Sequence, residues 1–371
     1  MPMELRTVNP AGTDTPPAQE PAMDNIKDLT LEGLAAWLKS QGEPAFRARQ
    51  VFQWLYQRQV RSFEEMSNVS KSLRLLLAER FTIGGFDVDT MAASEDGSRK
   101  FAFRLADGKR IESVLMPNAT HYTLCLSTQV GCAMGCDFCM TARMGLDRNL
   151  TAGEIVQQVV ECARVIEDGK ILRNLVFMGM GEPFHNYDNL VRALDILGED
   201  LGFGFSWRRM TVSTSGLVPA IRRFAKDKTR AMLAVSLNGA RDEVRSKLMP
   251  VNKRWNIAAL MEACREFPSD TRYRLTFEYV LIEGVTDAIA DARRLVKLLH
   301  GMKCKVNLIP YNAGPDSPYQ APAMTHVRAY QEELLNRGIL ATVRISKGQD
   351  IAAACGQLIT ELERAPQQAA G

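Results

Sequence analysis

Six times between Tyr122 and Cys355 a short run of apolar and β-branched residues gives way to a stretch with helical periodicity. The runs lie near residues 122–128, 174–178, 210–213, 232–236, 274–281 and 304–309. Successive parallel strands need a crossover between them, usually a helix, so this alternation predicts a parallel α/β sheet. The span holds 234 residues, slightly fewer than the roughly 250 of a closed eight-fold barrel. An open (βα)6 barrel is therefore expected, with a further strand near 342–345, and no internal sequence repeat is present.

The rest of the chain is smaller and differently patterned. With 371 residues, 46% hydrophobic and 24% charged, a sizeable core is available, which excludes collagen-like, mucin-like and wholly disordered readings. Residues 1–23 carry Pro2, Pro10, Pro16, Pro17 and Pro21 without an apolar run, and are expected to be a disordered lead, neither signal peptide nor anchor. No apolar stretch approaches the roughly 18 residues that span a bilayer, and 359–371 read as a helix end and flexible tail. A cytoplasmic protein is expected. Residues 24–95 read as a small helical domain, with apolar stripes at Leu31, Leu34, Ala35 and Leu38, at Ala48, Val51, Phe52 and Leu55, and at Leu73, Leu76 and Leu77.

Net charge is only +3, so a polyanionic partner must meet a local patch. One candidate is the segment 46–61, where Arg47, Arg49, Arg58 and Arg61 interleave with Phe46, Phe52, Trp54 and Tyr56. Arginines that grip phosphates beside aromatics that stack suit single-stranded RNA. On the residues alone the plainer reading is the stronger: an amphipathic helix whose aromatics are core. Residues 96–121 then read as a β-hairpin connector, with strands at 100–105 and 110–116 around an Asp107-Gly108 turn.

The strongest chemical signal is Cys132-Ala133-Met134-Gly135-Cys136-Asp137-Phe138-Cys139, in the loop after the first barrel strand. In a reducing compartment, clustered cysteines argue for metal or catalysis before disulfides. Three thiolates can hold three irons of a cubane cluster and leave the fourth without a protein ligand. A structural zinc site usually takes paired C-x2-C units or nearby histidines. His121, His185, His300 and His326 are scattered; Cys125 could complete a four-cysteine zinc set, the basis of a rival reading as a non-catalytic zinc-binding RNA module. Cys162, Cys264 and Cys304 sit at apolar spacing and read as packing.

The cysteine spacing, with Phe138 before the last thiol, resembles the signature of radical S-adenosylmethionine (SAM) enzymes. Gly179-Met180-Gly181-Glu182-Pro183 is similar to that superfamily's GGEP element. The resemblance implies a [4Fe-4S] cluster on Cys132, Cys136 and Cys139, with SAM received by Gly181, Glu182, Ser213, Ser236, Leu237, Asn238 and Asn312, all near the carboxyl ends of strands, where βα-barrels build their sites. Thr123-Leu124-Cys125, Asp147-Arg148-Asn149-Leu150, Asn307-Leu308-Ile309-Pro310 and Ala354-Cys355-Gly356-Gln357-Leu358, together with the segment 46–77, narrow the likeness. The span from about 24 to 358 resembles the dual-specificity 23S rRNA and tRNA adenine-C2 methyltransferases (RlmN type).

That likeness implies a radical SAM core at 122–358 ending in a catalytic loop, with 24–95 as an RNA-binding accessory domain. It implies two SAM molecules per turnover, a methylated Cys355, a transient Cys125–Cys355 disulfide and a proton acceptor at Glu112, on the strand face shared with Val114 and Met116. Implied partners are 23S rRNA and tRNA, an external electron donor such as flavodoxin or ferredoxin, and a thiol reductant; a monomer is expected. Asn238 stands where many relatives carry histidine. The related C8-methylating enzymes share the same cysteines, so the residues leave C2 and C8 both open.

Overall fold

The computed structural model describes residues 23–227, 231–268, 275–314 and 317–359. The expected lead at 1–22 and tail at 360–371 lie outside these described residues.

One ten-stranded sheet organises the molecule. In chain order its strands are β1 (Asp87–Ala93), β2 (Arg99–Arg104), β3 (Arg110–Pro117), β4 (His121–Cys125), β5 (Ile171–Phe177), β6 (Met210–Thr214), β7 (Met232–Ser236), β8 (Leu275–Leu281), β9 (Cys304–Pro310) and β10 (Ala341–Val343). Each pairs with its neighbour in sequence, so the sheet order is simply the chain order. From β4 to β10 every pairing is parallel. From β1 to β4 every pairing is antiparallel. This is the expected partial barrel: six strand-to-helix units and a seventh strand, opened at one side and extended by a meander.

The meander holds one element that the sequence pattern concealed. Residues 87–93, assigned above to the helical domain, form β1 and join the sheet beside β2. Their burial explains the miss: Asp87, Val88, Thr90 and Met91 are exposed, so this edge strand has no buried face and no alternating pattern to betray it. Gly108 in the β2–β3 turn has φ +81°, the left-handed conformation that the turn needs.

The amino-terminal segment forms helices Leu31–Ser40, Phe46–Tyr56 and Lys71–Arg80. Thr30 Oγ1 accepts from Gly33 N–H at 3.1 Å and Ser70 Oγ from Leu73 N–H at 3.3 Å, which fixes two of the starts. The aromatics of the second helix divide as an amphipathic helix should. Phe52 and Tyr56 are buried in the core, whereas Phe46 is exposed with the Arg47 guanidinium 4.8 Å above its ring. This unit docks on helix Ala152–Arg164, the first crossover of the barrel. Asp28 Oδ1 accepts from Gly153 N–H at 2.6 Å, Arg164 donates to Gln59 O at 2.6 Å, and the buried Lys27 ammonium donates to Gln157. Cys162 and Cys264 pack in the same core, as their spacing predicts.

Candidate active site

A cleft of about 950 Å³ opens at the carboxyl ends of the parallel strands. Cys132, Cys136 and Cys139 all line it. The loop that presents them is locally determined. Gly131 has φ +74°, and a Cβ there would lie 1.9 Å from Gly145 O, so only glycine lets the loop close. Cys139 N–H donates to Cys136 O at 3.1 Å, turning the last two thiols toward the same space.

Burial pushes all three thiols upward, Cys132 to about 12 and Cys136 well above its ordinary value, with repulsion from trio neighbours adding for those two and from Cys355 for Cys139. Such thiols ionise when a metal takes the proton's place. Among the described residues no three His, Cys, Asp or Glu side chains gather around one ion position. The donor chemistry, three thiols presented to one cleft, suits a cubane in which each thiolate meets its own iron. Cys125 is not beside this trio: it lines a different cavity, which removes the four-cysteine zinc set.

Around the cleft, Gly181, Glu182, Ser213, Ser236, Asn238 and Asn312 are brought together with the thiols, as expected. Gly181 has φ +101°, and a Cβ would meet Gln129 at 2.6 Å, so this glycine lets the Gly-Glu-Pro turn lie flat on the neighbouring loop. Glu182 is buried; its oxygens accept from Phe184 N–H at 3.0 Å and Ser215 N–H at 2.7 Å. Burial raises its pKa and those amide bonds oppose the rise. Asn238 sits at φ +50°, a conformation that asparagine tolerates better than most residues, and its Oδ1 accepts from Val280 N–H at 3.0 Å.

Leu237, between two cleft residues, does not itself line the cleft; its side chain is fully buried, its N–H donates to Glu278 O at 3.0 Å and its carbonyl accepts from Arg245 at 2.9 Å.

Cys355 lies on a carboxy-terminal loop laced to the cysteine loop. Met140 N–H donates to Gly356 O at 2.7 Å, and Thr141 Oγ1 donates to Leu358 O at 2.6 Å. Asn312 Nδ2 donates to Cys355 O at 3.2 Å. Cys355 lines both the main cleft and a small second cavity, and Cys125, at the end of β4, lines that second cavity with it. Burial, then the nearby Cys355 sulfur, pushes the Cys125 thiol up to about 12 against the pull of Arg344. Glu112 is buried on β3, on the face shared with Val114 and Met116, two residues that line the Cys125 cavity. Its carboxylate pairs with Lys100 Nζ at 3.1 Å and accepts from Ile359 N–H at 3.0 Å, so it touches the end of the Cys355 loop without lining the cleft.

A family model described as the ribosomal RNA large subunit methyltransferase N-terminal domain matches residues 24–83, and one for the radical SAM superfamily matches 126–296. The chain is 51% identical to the dual-specificity RNA methyltransferase RlmN of Syntrophotalea carbinolica, over 92% of this chain and 91% of that protein. It is 49% identical to the protein of the same name from Anaeromyxobacter sp., over 93% of each. This chain belongs to the RlmN family of radical SAM methyltransferases. A crystal structure of a radical SAM methyltransferase from Sphaerobacter thermophilus superposes with TM-score 0.86 at 47% identity, covering 90% of this chain and 98% of that one.

Three residues of this RlmN-family site carry no local signal in the sequence. Arg245 is fully buried and spans the strand ends, donating to Leu237 O, to Asn252 Oδ1 at 2.8 Å and to Ser215 O at 2.6 Å. Glu278 and Arg344 line the cleft from β8 and from the residue after β10. Burial raises the Glu278 pKa against the pull of Arg344, while the Cys355 sulfur is the strongest influence holding Arg344 charged. Strand alternation places Glu278 on the inner face, but nothing local distinguishes an inward charge from an outward one before the barrel is closed.

Proposed function

We propose that this enzyme methylates C2 of an adenine in 23S rRNA, and of the adenine 3′ of the anticodon in some tRNAs, with Cys355 as the carrier of the transferred carbon. The observation that supports this reading is the position of Cys355. Its sulfur is shared between the cleft walled by three cysteines and the small cavity that holds Cys125.

Adenine C2 lies between two ring nitrogens and is too electron-poor to take a methyl group by acting as a nucleophile. Bound SAM and its cluster would supply the methyl group and, after one-electron reduction, a hydrogen-atom acceptor, with two SAM molecules used per turnover. The chain's residues do the rest. Cys355 sulfur accepts the methyl, loses a hydrogen atom from it, and delivers the carbon to C2 while protein and RNA are covalently joined. Glu112, steadied by Lys100 and the Ile359 amide, takes the C2 proton. The adduct's unpaired electron would return to the bound cluster. Cys125 then attacks the Cys355 sulfur, the S–C bond pair goes to the carbon, which takes up a proton to complete the methyl group, and RNA is released as a disulfide forms that an external thiol reduces.

The target base must be unpaired, because C2 is reached edge-on and flipping costs least in single-stranded regions. Exposed Arg49, Arg58 and Arg61 with Phe46 form the RNA-facing part of the accessory domain. The enzyme works as a cytoplasmic monomer fed by a flavodoxin or ferredoxin. No helix among the described residues is long and apolar enough to cross a membrane. Nucleoside mass spectrometry of RNA treated with reduced enzyme tests the reading: 2-methyladenosine is expected, and 8-methyladenosine would reassign the reaction to the C8 branch.

A further inference from the structure

Below the catalytic cleft the barrel is hollow. A further pocket, open to solvent, occupies the amino-terminal half of the lumen. A βα-barrel ordinarily fills this region with branched apolar side chains. Here β4, β5, β6, β8 and β9 contribute Thr123, Asn174, Thr211, Thr276, Lys305 and Asn307 to the lining, with Val176 beside them. The cavity also meets Arg344, Lys347 and Glu278, so three cations face one carboxylate. Asn307 Nδ2 donates to Glu278 Oε2 at 2.9 Å, which occupies part of that single negative charge.

This lower lumen adjoins the small cavity that holds Cys125 and Cys355. Met116, Met178, Arg344 and Lys347 wall both it and the small Cys125–Cys355 cavity. Two of the four partitions are methionines, the most adaptable apolar side chains. Cys125 lines only the small cavity and is absent from the wall of the upper cleft, whereas Cys355 lines both. Once the two are joined, the Cys125 sulfur can be approached from below, while the route from above passes three cluster thiolates and Glu182.

We propose that the lower barrel lumen is the binding site and entry route of a small, negatively charged thiol that reduces the Cys125–Cys355 disulfide. The proposal rests on the reading that this disulfide forms. The incoming thiolate attacks the Cys125 sulfur, forming a mixed disulfide and expelling the Cys355 sulfur beside Arg344. A second thiol attacks the outer sulfur of the mixed disulfide and frees Cys125. Two thiols become one small disulfide, two electrons pass to the enzyme, and the two thiol protons end on Cys125 and Cys355.

The test uses cluster-loaded enzyme isolated in the disulfide state, with 2-mercaptoethanesulfonate, 2-mercaptoethanol and cysteamine as anionic, neutral and cationic thiols. Each rate is normalised to that thiol's rate against a free small disulfide, and loss of the bond is followed by alkylation and mass spectrometry. At low salt the anionic thiol should outrun the cationic one by on the order of tenfold. Lys305→Glu should erase or invert that order, with iron content and SAM binding unchanged. Thr276→Trp, which fills the lumen, should slow all three. Equal rates in the native enzyme, an order untouched by Lys305→Glu, or faster reduction by a thioredoxin-like protein that ignores both substitutions would overturn the proposal. A Cys125–Cys355 bond that never forms would overturn the underlying reading with it, so the two failures are distinguishable.

Discussion

Two irregular segments meet at this active site, and they are held in place in opposite ways. The cysteine loop closes on itself by local bonds, Cys139 N–H to Cys136 O at 3.1 Å and Cys132 N–H to Gly145 O at 2.7 Å, and is then tied to distant segments through bonds such as Asp137 N–H to Leu248 O at 2.9 Å. The loop bearing Cys355 is fixed from far away. Asp350 accepts from Ser94 Oγ at 2.6 Å across 256 positions of sequence, Asp96 accepts from Gly348 N–H at 2.9 Å, and Gln357 donates to Ala313 O at 2.8 Å. A trio of ligands for one cluster needs a set spacing along the chain. A sulfur that must meet a second sulfur and a substrate needs only a place in space, and the chain supplies that place from distant segments.

The contrast can be broken most severely at the local end. Cys136→Ala should abolish iron incorporation and turnover together, measured by iron content and SAM cleavage, while the fold persists. Cys125→Ala should leave iron content and SAM cleavage intact but stop product release, so that a covalent protein–RNA adduct accumulates on a denaturing gel. Asn312→Ala frees Cys355 O from its long-range anchor; a sulfur misplaced by about 1 Å should lower kcat roughly 100-fold with iron content unchanged.

Asp96→Asn should act more weakly, through the loop's order. Burial opposes ionisation of Asp96, but hydrogen bonds from Ser98 and the Gly348 amide overcome it and hold the carboxyl at about 2, below its ordinary 3.8. A lowered carboxyl contributes stability above 3.8 and loses it as pH falls toward 2. Amide exchange over residues 348–356 should therefore be faster in the variant at neutral pH, with the difference vanishing as the acid limit is approached.

Lys27, in the accessory domain, provides the smallest effect and a control remote from both loops. Burial, helped by Arg164, lowers its pKa from 10.5 to about 7 against the opposing pull of Glu161. Between those values the unfolded chain holds the proton and the folded one does not, so stability should rise with pH through this window. Lys27→Met should flatten that rise in Tm without changing SAM cleavage.

How much could be read from the sequence follows the same division. The parallel strands were legible because buried strands are apolar runs separated by helical periods, and the cysteine loop because its ligands are consecutive. Strand β1 was not, since Asp87, Val88, Thr90 and Met91 face water and leave no pattern. Leu237 lies off the cleft lining although Ser236 and Asn238 are on it, because adjacency says nothing of which face a residue takes at a strand end. Arg245, Glu278 and Arg344 matter through contacts made only when the barrel closes. Cys355 stands out as a cysteine before glycine in a polar loop, a poor core position, but its pairing with Cys125 comes only through likeness to a family, because no rule of spacing joins residues 230 positions apart.

The most direct test of the carrier role is isotopic. Enzyme whose Cys355 has been loaded with a deuterated methyl group is freed of labelled SAM, chased with unlabelled SAM, and given RNA for a single turnover. If the carbon travels by way of Cys355, mass spectrometry will find deuterium in the 2-methyladenosine formed. Wholly unlabelled methyladenosine from the loaded enzyme would contradict the account.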